Sequence, residues 1–429
     1  MPGMNPEVNA DHPTMVAAFQ AALARQGLIV LLVFAIIGLA WLGRRVRPGA
    51  WARRPAPARG GTVRPPGPGK PGAGKPGPGG PSAGGPITSE AVPGGPGAGG
   101  PITGEAVPAE PAGRRVLRIG FGLLWLFDGV LQAQPKMPAG LPSQVIQPAA
   151  ASSPHWVQHL VNWGVTAWSH HPVQAAAATV WIQAGIGIWM LVAARGTWSR
   201  LSGLAGMGWG LAVWVFGESF GGIFAPGLSW LTGAPGAAGC YVAAGALVAL
   251  PGRAWQTPRL GRLTVAGLGL FLAGMAVLQA WPGRGFWPGT AGGRPGPLAG
   301  AVRSMSAVPQ PKFLSDWVAG FGSFVTGHGF AVNLVAVTTL AAIGLAFVTG
   351  RRPLIRPAII GFTLLCLADW VLVQDLGFFG GLGTDPNSMI PFILLASAGY
   401  LALTRVPAAA PALASAAPAA APAPRGQCA

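Results

Sequence analysis

The sequence predicts an all-α, polytopic membrane protein with nine transmembrane helices, one N-terminal anchor followed by two tandem four-helix units. Three observations carry this expectation. Hydrophobic residues make up 51% of the chain and charged residues 9%, whereas a soluble domain needs about 25% charged residues to cover its surface. The apolar residues fall into nine blocks, most of them near the length that crosses a hydrocarbon core as a helix. One of those blocks also recurs: Arg115–Pro135 (RVLRIGFGLLWLFDGVLQAQP) returns 147 positions later as Arg262–Pro282 (RLTVAGLGLFLAGMAVLQAWP). Internal repetition fixes architecture before other signals are weighed.

The nine blocks are 28–43, 116–134, 173–194, 201–222, 235–250, 263–281, 330–349, 357–376 and 389–404. The first follows a 1–26 segment expected outside the membrane, and it reads as an anchor over 27–43. Glu7 and Asp11 stand where a cleavable signal would carry basic residues. Nine cations and no acid lie between Arg44 and Lys75. Cations collect on the cytoplasmic side of short loops, so the N-terminus is expected outside. The same rule places Arg195/Arg200, Arg253/Arg259/Arg262, Arg351/Arg352/Arg356 and Arg405 in the cytoplasm, with the C-terminus. The net charge of +17 therefore reports topology, and no nucleic-acid partner is expected.

Residues 44–112 are rich in Gly, Pro and Ala and cannot bury enough surface to order themselves. They form a disordered basic linker, read either as a tether for anionic headgroups or as a spacer. Units of four helices follow at 113–251 and 262–404, and 405–429 is an Ala/Pro tail expected to be disordered. Each unit opens with a Gly-rich helix and continues through an aromatic stretch, Trp156–Trp168 or Phe313–Phe324. Later agreements at one offset include Trp214/Trp370, Gly221/Gly377, Gly227/Gly383 and Pro235/Pro391. Four helices per unit make the copies parallel repeats.

Ionisable and amide groups inside spanning helices are the candidates for chemistry, because each is costly there. In the first unit these are Asp128, Gln132 one turn later, Gln183 and Glu218, which converge if their helices pack together. The second unit holds Gln279 at the place of Gln132, and its acids fall on one helix as Asp369 and Asp375 around Gln374. One working site and one scaffold copy is one reading; helix-tying hydrogen bonds are the other. His155 and His159 have a spacing that puts two imidazoles on one helical face, without an HExxH pattern or a nearby Cys. His170, His171 and His328 sit at outer helix ends, where headgroup contact or helix capping accounts for them. No metal site is expected. Cys240, Cys366 and Cys428 form neither a CxxC motif nor a disulfide framework. Nucleotide-binding and serine-hydrolase motifs are absent from the sequence.

The segment Leu117–Gln132, the aromatic loop after it, and the second helices ending in short Arg turns (Gly185–Arg200; Ala342–Arg356) resemble the DoxX/DoxD-like four-helix integral membrane family. The resemblance covers about 113–251 and 262–404 as a tandem pair; the doubling, the extra helix and the linker depart from it. It implies accessory work in membrane redox systems, a quinone as the associated cofactor, and a membrane oxidoreductase subunit as partner beside the lipid bilayer. The chain is not expected to be an enzyme by itself. The alternatives are a small-solute or proton transport or binding module, and a non-catalytic scaffold. The expected location is a bacterial plasma membrane. Reporter fusions after Pro65 and Pro142 are expected to read cytoplasm and exterior respectively; a reversed pair contradicts the topology.

Overall fold

In the computed structural model, residues 13–46 and 109–404 are described. The linker expected over 44–112 lies mostly outside them, as does the tail at 405–429. The chain divides into two compact units, Met1–Val33 with Ala109–Ala429, and Phe34–Pro108. In order, the helices are α1 Pro13–Val46, α2 Ala112–Gln132, α3 Met137–Gly140, α4 Gln147–Ala150, α5 His155–His170, α6 Pro172–Val192, α7 Gly196–Ala212, α8 Ala237–Ala249, α9 Pro258–Ala280, α10 Pro297–Ser306, α11 Lys312–Thr349, α12 Arg352–Leu372 and α13 Met389–Thr404. A two-residue ladder pairs β1 Thr290–Ala291 with β2 Arg294–Pro295.

The protein is all-α in its framework and polytopic. Among the described residues, five helices are long and apolar enough to cross a membrane: α1 over Pro13–Val33, α6, α9, α11, and α12 over Pro353–Leu372. A sixth span results if α2 is joined to Met137–Ala150, across a bend of 94°. The apolar helices α8 and α13 are shorter, with 13 and 16 residues. Large side chains such as Val130, Leu263, Leu270, Phe330, Val335 and Leu364 face outward at 55% exposure or more. In water so broad an apolar surface would drive aggregation; in a bilayer it is the surface that lipid covers.

The pairing of helices repeats along the chain. α2 packs on α6, and α9 packs on α11. Both crossings depend on a missing side chain: a Cβ on Gly187 would stand 2.7 Å from the Gly122 carbonyl oxygen, and a Cβ on Gly269 the same distance from the Gly344 carbonyl oxygen. Small residues let membrane helices approach closely enough for dispersion to hold them. α13 then packs on both α9 and α2. In the shared core Trp230 meets Phe362 and Phe392, with ring centroids 5.9 and 6.0 Å apart.

A second recurrence lies in the backbone. Ser219, Phe220 and Gly221 all have positive φ, and so do Asp375, Leu376 and Gly377, 156 positions later. Non-glycine residues rarely hold this left-handed conformation. Here two consecutive non-glycine residues do so, followed by glycine, after α7 and again after α12. In each case a Trp indole fastens the turn to the following loop: Trp214 Nε1 donates to Pro235 O at 2.7 Å, and Trp370 Nε1 to Pro386 O at 2.8 Å.

At the end where α2 begins, two arginines are buried. Arg118 makes a two-pronged ion pair with Glu110 (2.9 Å for both bonds) and donates to Met190 O and Leu191 O at the end of α6. Arg114 reaches Ser199 and the Val248 carbonyl near the end of α8. Carbonyls that a helix leaves unpaired at its C-terminus thereby gain cationic donors.

Three segments differ from the sequence expectation. The first helix begins at Pro13 instead of 27, and Phe19 within it is buried. Residues 13–26, the described part of the expected external segment, lie against the body, with Gln26 Nε2 donating to Gln174 O and Trp181 Nε1 to Leu23 O. The region expected as a loop at 282–329 contains α10 and the start of α11. Finally, the two aromatic stretches diverge. His171, in front of Pro172, leaves the helical region (φ −144°, ψ 63°) and separates α5 from α6, because proline disfavours helical geometry in the residue before it. The second stretch meets no proline and runs on as α11, with only a kink at His328.

Substituting Gly187 by Leu should cost about 1–3 kcal/mol through overpacking at the α2–α6 crossing. Gly185→Ala, with open space at the Cβ position, should be silent. Thermal unfolding in detergent compares them, and equal transitions would contradict the crossing.

Candidate functional site

Polar groups from three helices and two loops surround one cavity of about 490 Å³ in the first half of the chain. α2 supplies Asp128 and Gln132, 3% and 5% exposed, and α6 supplies Gln183, 4% exposed. A π turn at Val213–Gly217 extends α7 and delivers Glu218 to the wall. Tyr241 enters from α8, and Thr384 and Asp385 come from the loop before α13. The rest of the lining is largely apolar or aromatic. Trp163, 65% exposed, and Ile182, 38% exposed, belong both to the wall and to the outer surface.

The wall contains polar atoms that the protein does not satisfy. Trp125 Nε1, Asp128 Oδ1, Gln132 Oε1, Gln183 Oε1, Trp209 Nε1 and the Tyr241 hydroxyl are buried without a hydrogen-bond partner. Asp128 and Tyr241 lie close enough to interact electrostatically, yet the hydroxyl closes no hydrogen bond of good geometry. An unmet buried polar group costs roughly 1–3 kcal/mol, so six around one space is a chemical signature: three donors or donor-capable groups and three acceptors. Tyr241 is held by edge-to-face contacts with Trp125 and Phe121, with centroids 4.5 and 5.1 Å apart.

Glu218 differs from the other three groups. Both of its carboxylate oxygens accept from the Ala238 N–H, at 3.0 and 3.1 Å. It closes the N-terminus of α8, where unpaired N–H groups and the helix dipole favour an anion. Asp385 is anchored as well: Thr384 Oγ1 donates to one oxygen (2.9 Å) and the Asn387 N–H to the other (2.7 Å). Desolvation in this loop raises the Asp385 carboxyl above its usual value, against those two hydrogen bonds. The loop is fixed over the first half by Gln134 Nε2, which donates to Gly383 O at 2.8 Å.

Around Gln279, on α9, side chains from both halves satisfy one another. Ser229 Oγ donates to Gln279 Oε1 (2.7 Å), and Gln279 Nε2 donates to Asn333 Oδ1 (2.8 Å). Gln279, the counterpart of Gln132, is thus satisfied where Gln132 Oε1 is not. Asp369 accepts from Gln374 Nε2 at 2.8 Å, and the Gln374 carbonyl accepts from Asn387 Nδ2. Asp369, Gln374 and Asp375 are buried but do not line the cavity. Asp375 sits in the left-handed turn.

The histidines stay outside. His155, His159, His170 and His171 are exposed. His328 stacks on Phe324 (4.5 Å) and its Nδ1 pairs with the Phe324 carbonyl, as a local cap at the kink. Among the described residues, no three His, Cys, Asp or Glu side chains are grouped as a metal would require. Cys240 and Cys366 are buried free thiols.

The sequence pointed to Asp128, Gln132, Gln183 and Glu218, and these four share the cavity. It missed Tyr241, which looks like an ordinary helical aromatic, and Asp385, which no local pattern links to a helix some 250 residues earlier. Replacing Asp128 by Asn should leave thermal stability unchanged or raised, since an unpaired buried carboxylate stabilises little. Glu218→Ala should lower stability by about 1 kcal/mol through loss of the α8 cap. Unfolding curves in detergent decide; a destabilised Asp128→Asn would make Asp128 a structural tie. Compared with protein-family models, curated proteins and solved structures, the chain gives no match.

Proposed function

We propose that the chain is a nine-span protein of a bacterial plasma membrane, N-terminus outside and C-terminus in the cytoplasm, whose first four-helix unit binds one small amphiphilic molecule. The nine spans are α1, α2, α6, α7 with its π turn, α8, α9, the later part of α11, α12 and α13. The 13-residue α8 rises only about 20 Å, so it relies on buried, hydrogen-bonded turns such as the one capped by Glu218 to complete its passage. Descent of the halves from one DoxX-like unit is supported by the left-handed turns at a single offset and by the two glycine crossings.

The observation that carries the binding reading is the set of six unpartnered polar atoms around one otherwise apolar cavity. Ligand sites are concave and largely apolar, with a few convergent polar groups. The second half, where Gln279 and Asn333 bond to each other and Gln279 accepts from Ser229 of the first half, acts as the scaffold copy. In this reading the chain is a binding or transport module and not a stand-alone enzyme.

A redox-accessory role is the second reading, and one observation favours it. Quinone carbonyls accept hydrogen bonds, and Trp125, Trp209 and Tyr241 offer three unused donors. Asp128 would then hold or pass the proton of the reduced headgroup, beside an oxidoreductase partner.

Solvent extraction of the purified chain, followed by mass spectrometry, tests the binding reading. About one amphiphile per chain is expected, depleted in Asp128→Asn; a quinone would select the second reading. Identical extracts containing only bulk lipid would leave a scaffold.

A further inference from the structure

We propose that the cavity takes a lipophilic organic cation, an amine or quaternary ammonium carried on an apolar body. This rests on the cavity being a ligand site and names what that ligand is. The chain carries 28 Lys and Arg against only 11 Asp and Glu, yet three of those acids, Asp128, Glu218 and Asp385, line this one space. No Lys, Arg or His is among its lining residues. All three carboxyl groups face the same poorly hydrated space, so they cannot share it as anions without an offsetting positive charge. Like charges in a poorly hydrated space repel strongly, and the protein supplies no base to offset them.

Two further features point to a cation instead of a solvated acidic cluster. Asp128 is 3% exposed, its Oδ1 has no partner, and only the Tyr241 hydroxyl stands against its carboxyl. The two other acids are occupied, by the Ala238 N–H and by Thr384 and Asn387. The wall is also aromatic, with Trp125, Trp163, Trp168, Trp209, Phe216 and Tyr241. Faces of aromatic rings attract cations, most strongly when the cation is an organic one shed of water. No group of carboxylates is arranged for a metal among the described residues, and a 490 Å³ space is far larger than a metal ion needs. A zwitterionic headgroup would bring its phosphate against the same three acids, so the ligand carries positive charge alone. Trp163 and Ile182, exposed at the outer surface, set the route of entry from the lipid side.

The probes are tetraphenylphosphonium and tetraphenylborate, which share one shape and differ in sign. Each is dialysed against the full-length chain in nanodiscs, with empty nanodiscs subtracted, and binding is also read by quenching of tryptophan fluorescence. Saturable binding of the phosphonium at about one per chain is expected, with none of the borate. Asp128→Asn should weaken it by about tenfold or more, as loss of one partner of a desolvated charge pair does. Asp385→Asn, in a loop and away from the helix crossings, should weaken it less and guards against misfolding of the first variant. Equal binding of both ions, or phosphonium binding indifferent to both substitutions, overturns the inference. A short-chain neutral quinone serves as the third probe. If it binds saturably while the phosphonium does not, the cation inference falls and the cavity reading stands; if neither binds, both fall.

Discussion

Within a hydrocarbon layer, a polar group that finds no partner in the protein has no water to fall back on. Most of this structure satisfies that constraint. Arg114 and Arg118 reach helix-end carbonyls and Glu110, and the indoles of Trp214 and Trp370 reach loop carbonyls. Gln279, Asn333 and Ser229 satisfy one another. Among the described residues, six of the exceptions surround one cavity in the first half, while others, including Trp230 Nε1, Asp369 Oδ1 and Asp375 Oδ1, stand singly elsewhere. Six such atoms facing one space are what the binding proposal is built on.

The two halves are not independent around that centre. Thr384 and Asp385 belong to the second half and line the cavity of the first, held there through Gln134 and Gly383. Phe127 and Phe378 add an edge-to-face contact at 5.1 Å, and α13 packs on α2. Residues near the C-terminal end of the chain therefore complete the wall of a cavity built mainly by α2, α6, α7 and α8. On the proposed duplication, Met275 stands where Asp128 would recur, and Leu340 where Gln183 would.

Much of this was legible in the sequence, for identifiable reasons. Asp128, Gln132, Gln183 and Glu218 stood out because each interrupts an apolar block, and a spanning helix tolerates such groups only with a purpose. Gly221 and Gly377 agree at one offset in the sequence, but no pattern there announces left-handed turns or places Ser219 and Asp375 in them. Helix lengths were less legible. Pro172 visibly ends α5, but nothing local announces that α1 starts at Pro13, that α11 absorbs the aromatic stretch before it, or that the chain after α2 bends by 94°. Those outcomes are decided by burial of Phe19, by helical residues that lack a breaker, and by the packing of Met137 and Leu141 against α5 and α6.

Everything rests on the open space among Asp128, Gln132, Gln183 and Tyr241 being occupied by something other than protein. A side-chain-resolution electron cryomicroscopy map of the full chain in lipid nanodiscs tests this directly. The account predicts non-protein density within hydrogen-bonding reach of the Asp128 carboxylate and the Tyr241 hydroxyl. Side chains collapsed onto one another, with Asp128 bonded to a neighbouring helix and no space left between them, would contradict it.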